Sequence, residues 1–350
     1  MTDPRDRLYA FFDTSTIEES QISIDPRYGD TIQEVYHNFA VQYVRSTKDL
    51  KILDHVVHDA RSLQSDMPAW VPSWDHMESG PQRSSRFSKL TSREYSFDEP
   101  SFVEANLLKV RGVILGCVQF VTTEFEGPAT TIETLARTWT AVGSLGMDRP
   151  YDISKELQTF FSALTEATAQ GDSTLWARQT AQHITHMKTG FELHDKHIQA
   201  MVEDIAHRIP SFVKDTVVLK PGLVASCVHR YFKNKALADA PVAADRIHQY
   251  VQSYVHRKKF FVTERGYMGL GPAVPEEGDI YAIIFGSMRP CILRRTQQKD
   301  RWKFLGPCFI LGARPFSTKD GRRKYSAMLG SEPSKEWERW DVEEQDIYLC

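Results

Sequence analysis

Between Asp30 and Thr47, Ile32, Val35, Tyr36, Phe39, Ala40, Tyr43 and Val44 form one apolar series. They recur at intervals of three and four, the signature of one buried helical face, and predict an amphipathic helix over 31–47. Asp30 reads as its N-cap, with Gln33 as capping-box partner. Residues 76–106 are rich in Ser, Arg and Pro and predict a long surface loop. Leu107–Glu124 is β-branched and interrupted by Gly112 and Gly116, which predicts a strand or bulged hairpin. Helical spacing then dominates 130–257. One stripe runs through Phe191, Ile198, Met201, Val202, Ile205 and Ile209 and closes at Pro210. Another carries Ile247, Tyr250, Val251, Tyr254 and Val255.

At Phe260 the period changes. Tyr281–Phe285, Cys291–Arg294, Trp302–Leu305 and Phe309–Leu311 are short apolar runs between Gly, Pro and charged turns, the pattern of antiparallel strands. The predicted class is α+β. Amphipathic helices in the N-terminal and middle parts pack with a mainly antiparallel C-terminal sheet or small barrel. The expected segments are 1–75, the loop 76–106, a mainly helical 107–257 and a β region 258–350 with an acidic tail, together forming one compact unit.

Composition narrows the class. The 350 residues are 41% hydrophobic and 25% charged, with a net charge of −3. That balance is ordinary for a globular protein and gives no global electrostatic case for nucleic acid. The longest apolar stretch, 107–121, is broken by Lys109 and Arg111 and is too polar to cross a membrane as a helix. The five cysteines lie far apart without a C-x-x-C pair, so no zinc ribbon or disulfide framework is indicated. With no apolar leader, the expectation is a reduced, cytoplasmic protein.

Two blocks of motifs carry a family resemblance. The first contains 2–10, T-D-P-R-D-R-L-Y-A, then Asp25-Pro26-Arg27-Tyr28, Glu34-Val35-Tyr36 and Pro68-Ala69-Trp70-Val71-Pro72-Ser73-Trp74-Asp75. The second contains Phe261-Val262-Thr263, Gly266-Tyr267-Met268-Gly269-Leu270-Gly271-Pro272, Gly278-Asp279, Gly286, Pro290 and Leu293-Arg294. In this order they resemble the downstream region of fungal heterokaryon-incompatibility proteins. The segment Cys308–Arg314 departs from that family's usual ending. Because the first block begins at the start of the chain, the resemblance implies a relative lacking nearly all of the effector domain. It also implies no NAD-consuming activity.

Candidate chemistry is sparse. Gly266, Gly269 and Gly271 have the spacing G-x-x-G-x-G and precede Pro272 without a helical pattern, so a turn between strands is expected rather than a dinucleotide loop. His183, His186, His194 and His197 fall in pairs at i, i+3, a spacing that can gather metal ligands. No carboxylate or cysteine completes a set, so buried structural histidines are the favoured reading. Arg5 and Asp6 are expected to form a buried salt bridge or cap a helix. The segment 289–324 holds eleven Lys/Arg and two Asp, and 332–346 holds seven Asp/Glu. These charges are either an anion-binding face with an internal acidic cover or the solvent-facing positions of hairpins.

Without nucleophile, phosphate or metal signatures, any catalysis is expected to be cofactor-free. It would be a cyclisation or Diels-Alder-type ring closure of fungal secondary metabolism, acting on an apolar small molecule. Trp70, Trp74 and Asp75 would line its pocket, and Arg5, Tyr28, His76 and Arg294 would act as donors. The alternative is a non-enzymatic recognition or regulatory protein that engages full-length incompatibility relatives.

Overall fold

A computed structural model describes residues 3–6, 8–9, 28–74, 101–104, 106–151, 156–166, 251–287, 289–317, 323–327 and 340–350. The described α-helices are α1 (Ile32–Thr47), α2 (Ile132–Gly143) and α3 (Glu156–Leu164), with short helical stretches at 5–6, 8–9 and 251–255. The strands are β1 (Ser101–Glu104), β2 (Leu107–Val121), β3 (Lys259–Thr263), β4 (Met268–Gly271) and β5 (Ile280–Ile284). They continue as β6 (Cys291–Arg295), β7 (Arg301–Pro307), β8 (Phe309–Ser317), β9 (Arg323–Ala327) and β10 (Glu344–Leu349). The α+β class and the change to antiparallel strands after Phe260 stand as expected. Backbone contacts divide the chain into two units, each assembled from separated segments: 1–121 with 271–310 and 327–350, and 122–270 with 311–326.

The first unit is built on a closed ring. β2 pairs with β5, β5 with β6, β6 with β7, β7 with β10, and β10 returns to β2. An odd number of strands cannot alternate direction all the way round, so one pair must run parallel; it is β7 with β10. Closure leaves the ring strands no unpaired edge. β2 is long enough to serve both neighbours, and Gly112 lies where they crowd it: a Cβ there would meet Ile283 O at 2.3 Å and Ile347 Cδ1 at 3.1 Å. Only glycine permits that approach. Leu108, Val110, Ala282, Ile284, Leu293, Phe304, Ile347 and Leu349 form a common core with Val35, Tyr36 and Phe39 of α1.

β10 corrects the reading of the acidic tail. Ile347 and Leu349 are buried, while Asp346 alternates outward beside β2. Lys109 pairs with Asp346 at 2.9 Å, and Arg111 lies 3.5 Å from the same carboxylate. These cations hold the Asp346 carboxyl below its usual range. This part of the tail is therefore a barrel strand whose charges answer β2, and not a cover over 289–324.

α1 begins one residue later than the spacing indicated. Thr31 is its N-cap: its Oγ1 accepts from Glu34 N, and the Glu34 carboxylate accepts from Thr31 N at 2.8 Å. Thr and Glu satisfy the capping box reciprocally, which Asp30 and Gln33 do not do here. Thr31→Ala is expected to destabilise the protein by about 1 kcal/mol, and Asp30→Ala by much less, in urea titrations.

The second unit holds β3, β4, β8 and β9, neighbours in that order, with α2, α3 and the 251–255 helix. Trp139, Phe160 and Phe260 stack through edge and tilted contacts at 5.3 and 5.2 Å. The Tyr151 hydroxyl donates to Leu311 O and accepts from Met268 N. Gly266 occupies the turn between β3 and β4 with φ +77°, and a Cβ there would meet Asp148 O at 2.3 Å. Gly266 thus lies in a turn between strands, as the sequence indicated, while Gly269 and Gly271 are part of β4.

Candidate functional site

The Asp3-Pro4-Arg5-Asp6 turn is a knot of hydrogen bonds centred on Arg5. Its Nε and Nη2 donate to Asp3, at 3.0 Å to Oδ1 and 2.7 Å to Oδ2. Its Nη1 donates to Tyr28 O at 2.8 Å and Asp30 O at 2.7 Å. The guanidinium also lies 5.4 Å from the centre of the Tyr28 ring. The ion partner of Arg5 is therefore Asp3 and not the adjacent Asp6, because the turn directs the side chain back along the chain. Asp6 instead accepts from the Tyr28 hydroxyl at 2.8 Å. Hydrogen bonding to Arg5 holds the Asp3 carboxyl below its usual range, and the bond to Asp6 raises the Tyr28 phenol. Tyr36 of α1 donates to Pro4 O at 3.2 Å, tying the turn to the helix. Tyr28 is nonetheless 57% exposed, with its ring edge-on to Tyr9 at 5.5 Å.

The Pro68–Trp74 segment packs beside the same helix. Trp70 is fully buried, and its indole Nε1 donates to Asn106 O at 3.2 Å. Its ring lies against Phe102 at 5.8 Å and His37 at 6.1 Å. Trp74 stands edge-on to Tyr36 at 5.1 Å and Phe39 at 5.2 Å. Backbone bonds hold the segment in place: Ala69 N donates to Cys350 O at 2.9 Å, and Val71 N to Pro68 O. His58 clamps it from the side, 2.7 Å from Ala69 O through Nε2 and 3.1 Å from Ser62 Oγ through Nδ1. A carbonyl partner requires the proton on Nε2. Burial pushes the His58 pKa down, so the neutral ring is favoured.

Arg294 lies elsewhere on the same unit, on β6. It holds Asp279 in a two-pronged bond, Nε to Oδ1 and Nη2 to Oδ2, both at 2.9 Å. Nη2 also donates to Val274 O, and Nη1 lies 3.3 Å from Glu276. Asp279 is buried and additionally accepts from Glu276 N, so the pair pins the loop leading into β5.

The structure thus brings Arg5 and Tyr28 together and, separately, sets Trp70 in, and Trp74 against, the core cluster that includes α1. Asp75 and His76 lie outside the described residues, as do His183, His186, His194 and His197. Among the described residues no group of three or more His, Cys, Asp or Glu is arranged to hold a metal. No helix among them is long and apolar enough to cross a membrane. His58 and the pair formed by half-buried Lys258 and buried Glu166, 2.5 Å apart, were not singled out from sequence. Neither sits in a motif, and the partners of the pair are 92 positions apart.

The arrangement chemically favours rigidity over reactivity. Each described polar candidate donates to a carboxylate or carbonyl of its own chain, and the indoles fill core. Residues 108–320 match a family model, the Het-6 beta-barrel domain. No curated protein and no solved structure matches the chain.

Proposed function

The chain belongs to the Het-6 beta-barrel domain family, of heterokaryon-incompatibility type, and from this premise we propose that it is a recognition protein that acts by binding full-length relatives. The observation that carries the reading is the commitment of the polar candidates. Arg5, Tyr28 and Arg294 are spent on Asp3, Asp6 and Asp279. A binding scaffold needs a rigid frame of this kind and no free donor at a reacting centre.

A cofactor-free cyclase of secondary metabolism would draw on the same aromatic layer to fold an apolar substrate. It would also need donors aimed at that substrate, and using Arg5 or Arg294 in this way would break bonds that hold the fold. The recognition reading requires no such rearrangement and is preferred.

Gene deletion separates the two. Deletion is expected to change the outcome of strain pairings and to leave the metabolite profile as it was. Loss of a metabolite with accumulation of its uncyclised precursor, converted by the purified protein, would overturn the proposal.

A further inference from the structure

The Lys51–His55 turn follows α1 and is wedged against the barrel. Ile52, Leu53 and Val56 belong to the core cluster with Trp302 and Phe304 of β7. Leu53 N donates to Leu50 O at 3.0 Å, and Val56 N to Leu53 O at 3.2 Å. Between these apolar anchors stands Asp54, whose Oδ1 is buried without a hydrogen-bond partner. A buried carboxylate oxygen without a donor is costly when ionised and much less so when neutral.

The surroundings do not neutralise it. Lys51, the cation nearest in sequence, donates to Asp49 at 2.5 Å, and the Asp49 carboxylate adds a like charge. Arg289, buried in the β5–β6 connection, is the cation that acts most strongly on Asp54, with a smaller pull from Lys51. From β6 the neighbour is the Cys291 thiol, which faces Ala282 O and which burial keeps protonated. From α1 it is the Tyr43 phenol. On β7, Lys303 is directed to Leu63 O at 3.0 Å. Burial outweighs the pull of Arg289 and pushes the Asp54 carboxyl up to about 6.

We propose that Asp54 is a proton-operated latch between the Lys51–His55 turn and the barrel, tight when its carboxyl is neutral and loosened when it ionises.

The sign follows from linkage. The native state binds this proton more tightly than the unfolded chain, whose Asp titrates near 3.8. Stability from the latch is therefore present at low pH and is lost as pH rises towards 6. His55 and His58 act oppositely: burial depresses both, so each withdraws stability as pH falls below about 6.5. Their opposing slopes mask the latch in a single titration but cancel in a comparison of variants.

The test is therefore the difference in melting temperature between Asp54→Asn and the wild-type protein, from pH 7.5 to 4.5. Asn cannot ionise, so the variant is expected to melt about 3–6 °C higher at pH 7.5, with the gap narrowing to about a third of that by pH 4.5. In the wild-type protein, amides of 52–56 should exchange about tenfold faster at pH 7.5 than at 5.0 after correction for intrinsic rates. This second readout needs no variant to fold. A gap independent of pH, a less stable Asp54→Asn at pH 7.5, or pH-independent protection of 52–56 would each overturn the proposal.

Discussion

Trp70→Ala is expected to lower the unfolding free energy by about 3–5 kcal/mol, measured as a reduced urea midpoint at unchanged slope. The indole is fully buried and sits in one cluster with Val35, Val71, Leu108 and Trp302. Truncation removes the ring contacts with Phe102 and His37 and leaves a void that the segment cannot collapse to fill. The backbone there is fixed on both sides by Ala69 N to Cys350 O and His58 Nε2 to Ala69 O. Trp70→Phe should recover most of the loss, since Asn106 is exposed and its carbonyl can turn to water. Trp74→Ala should cost less, about 1–2 kcal/mol, because that ring is only partly buried against Tyr36 and Phe39. Unchanged melting of both alanine variants would show that the two indoles do not hold this layer together.

Arg294→Met should cost about 3–4 kcal/mol, for a different reason. The alkyl stem is retained, but Asp279 keeps its charge in a buried site and loses two of its donors. Glu276 N alone remains on that carboxylate among the described bonds. The loop that Asp279 anchors also feeds Val118 N to Asp279 O at 2.7 Å, so the damage should spread to the β2–β5 pairing. Replacing Asp279 by Leu together with Arg294→Met should restore part of the stability, because the unpaired charge goes with it. A double variant as unstable as the sum of the single ones would show that the two residues act independently.

Much of the local structure was legible in the chain. The four apolar runs after Phe260 lie within or overlap β5, β6, β7 and β8. The three-four spacing after Thr31 gave α1, missing only the identity of the cap. Local spacing succeeds here because each element buries one face, and the period of that face is a property of adjacent residues. It failed at 344–349. Glu344, Gln345 and Asp346 read as a solvated acidic tail, while Ile347 and Leu349 were too few to announce a strand. The candidate site was legible as a set of motifs but not as bonds. Arg5 was read with its neighbour Asp6, and the fold instead pairs it with Asp3 and with the carbonyls of Tyr28 and Asp30. Asp54 and His58 gave no sequence signal at all, since an ordinary Asp or His acquires its character only from what is packed around it.

By itself, then, the amino-acid sequence determined the α+β class, the position of the change from helix to strand, and the turn at Gly266. It also determined membership in a family whose motifs occur here in order. Tertiary structure decided which strands are neighbours, and above all that β10 closes the ring against a strand more than two hundred positions away: Arg111 meets Asp346 across a separation of 235 residues. The physical reason is the range of the forces involved. Periodicity and turn preference act over a few residues. Strand pairing, burial of a carboxylate and the partner of a guanidinium depend on surfaces that do not exist until the distant segments have met.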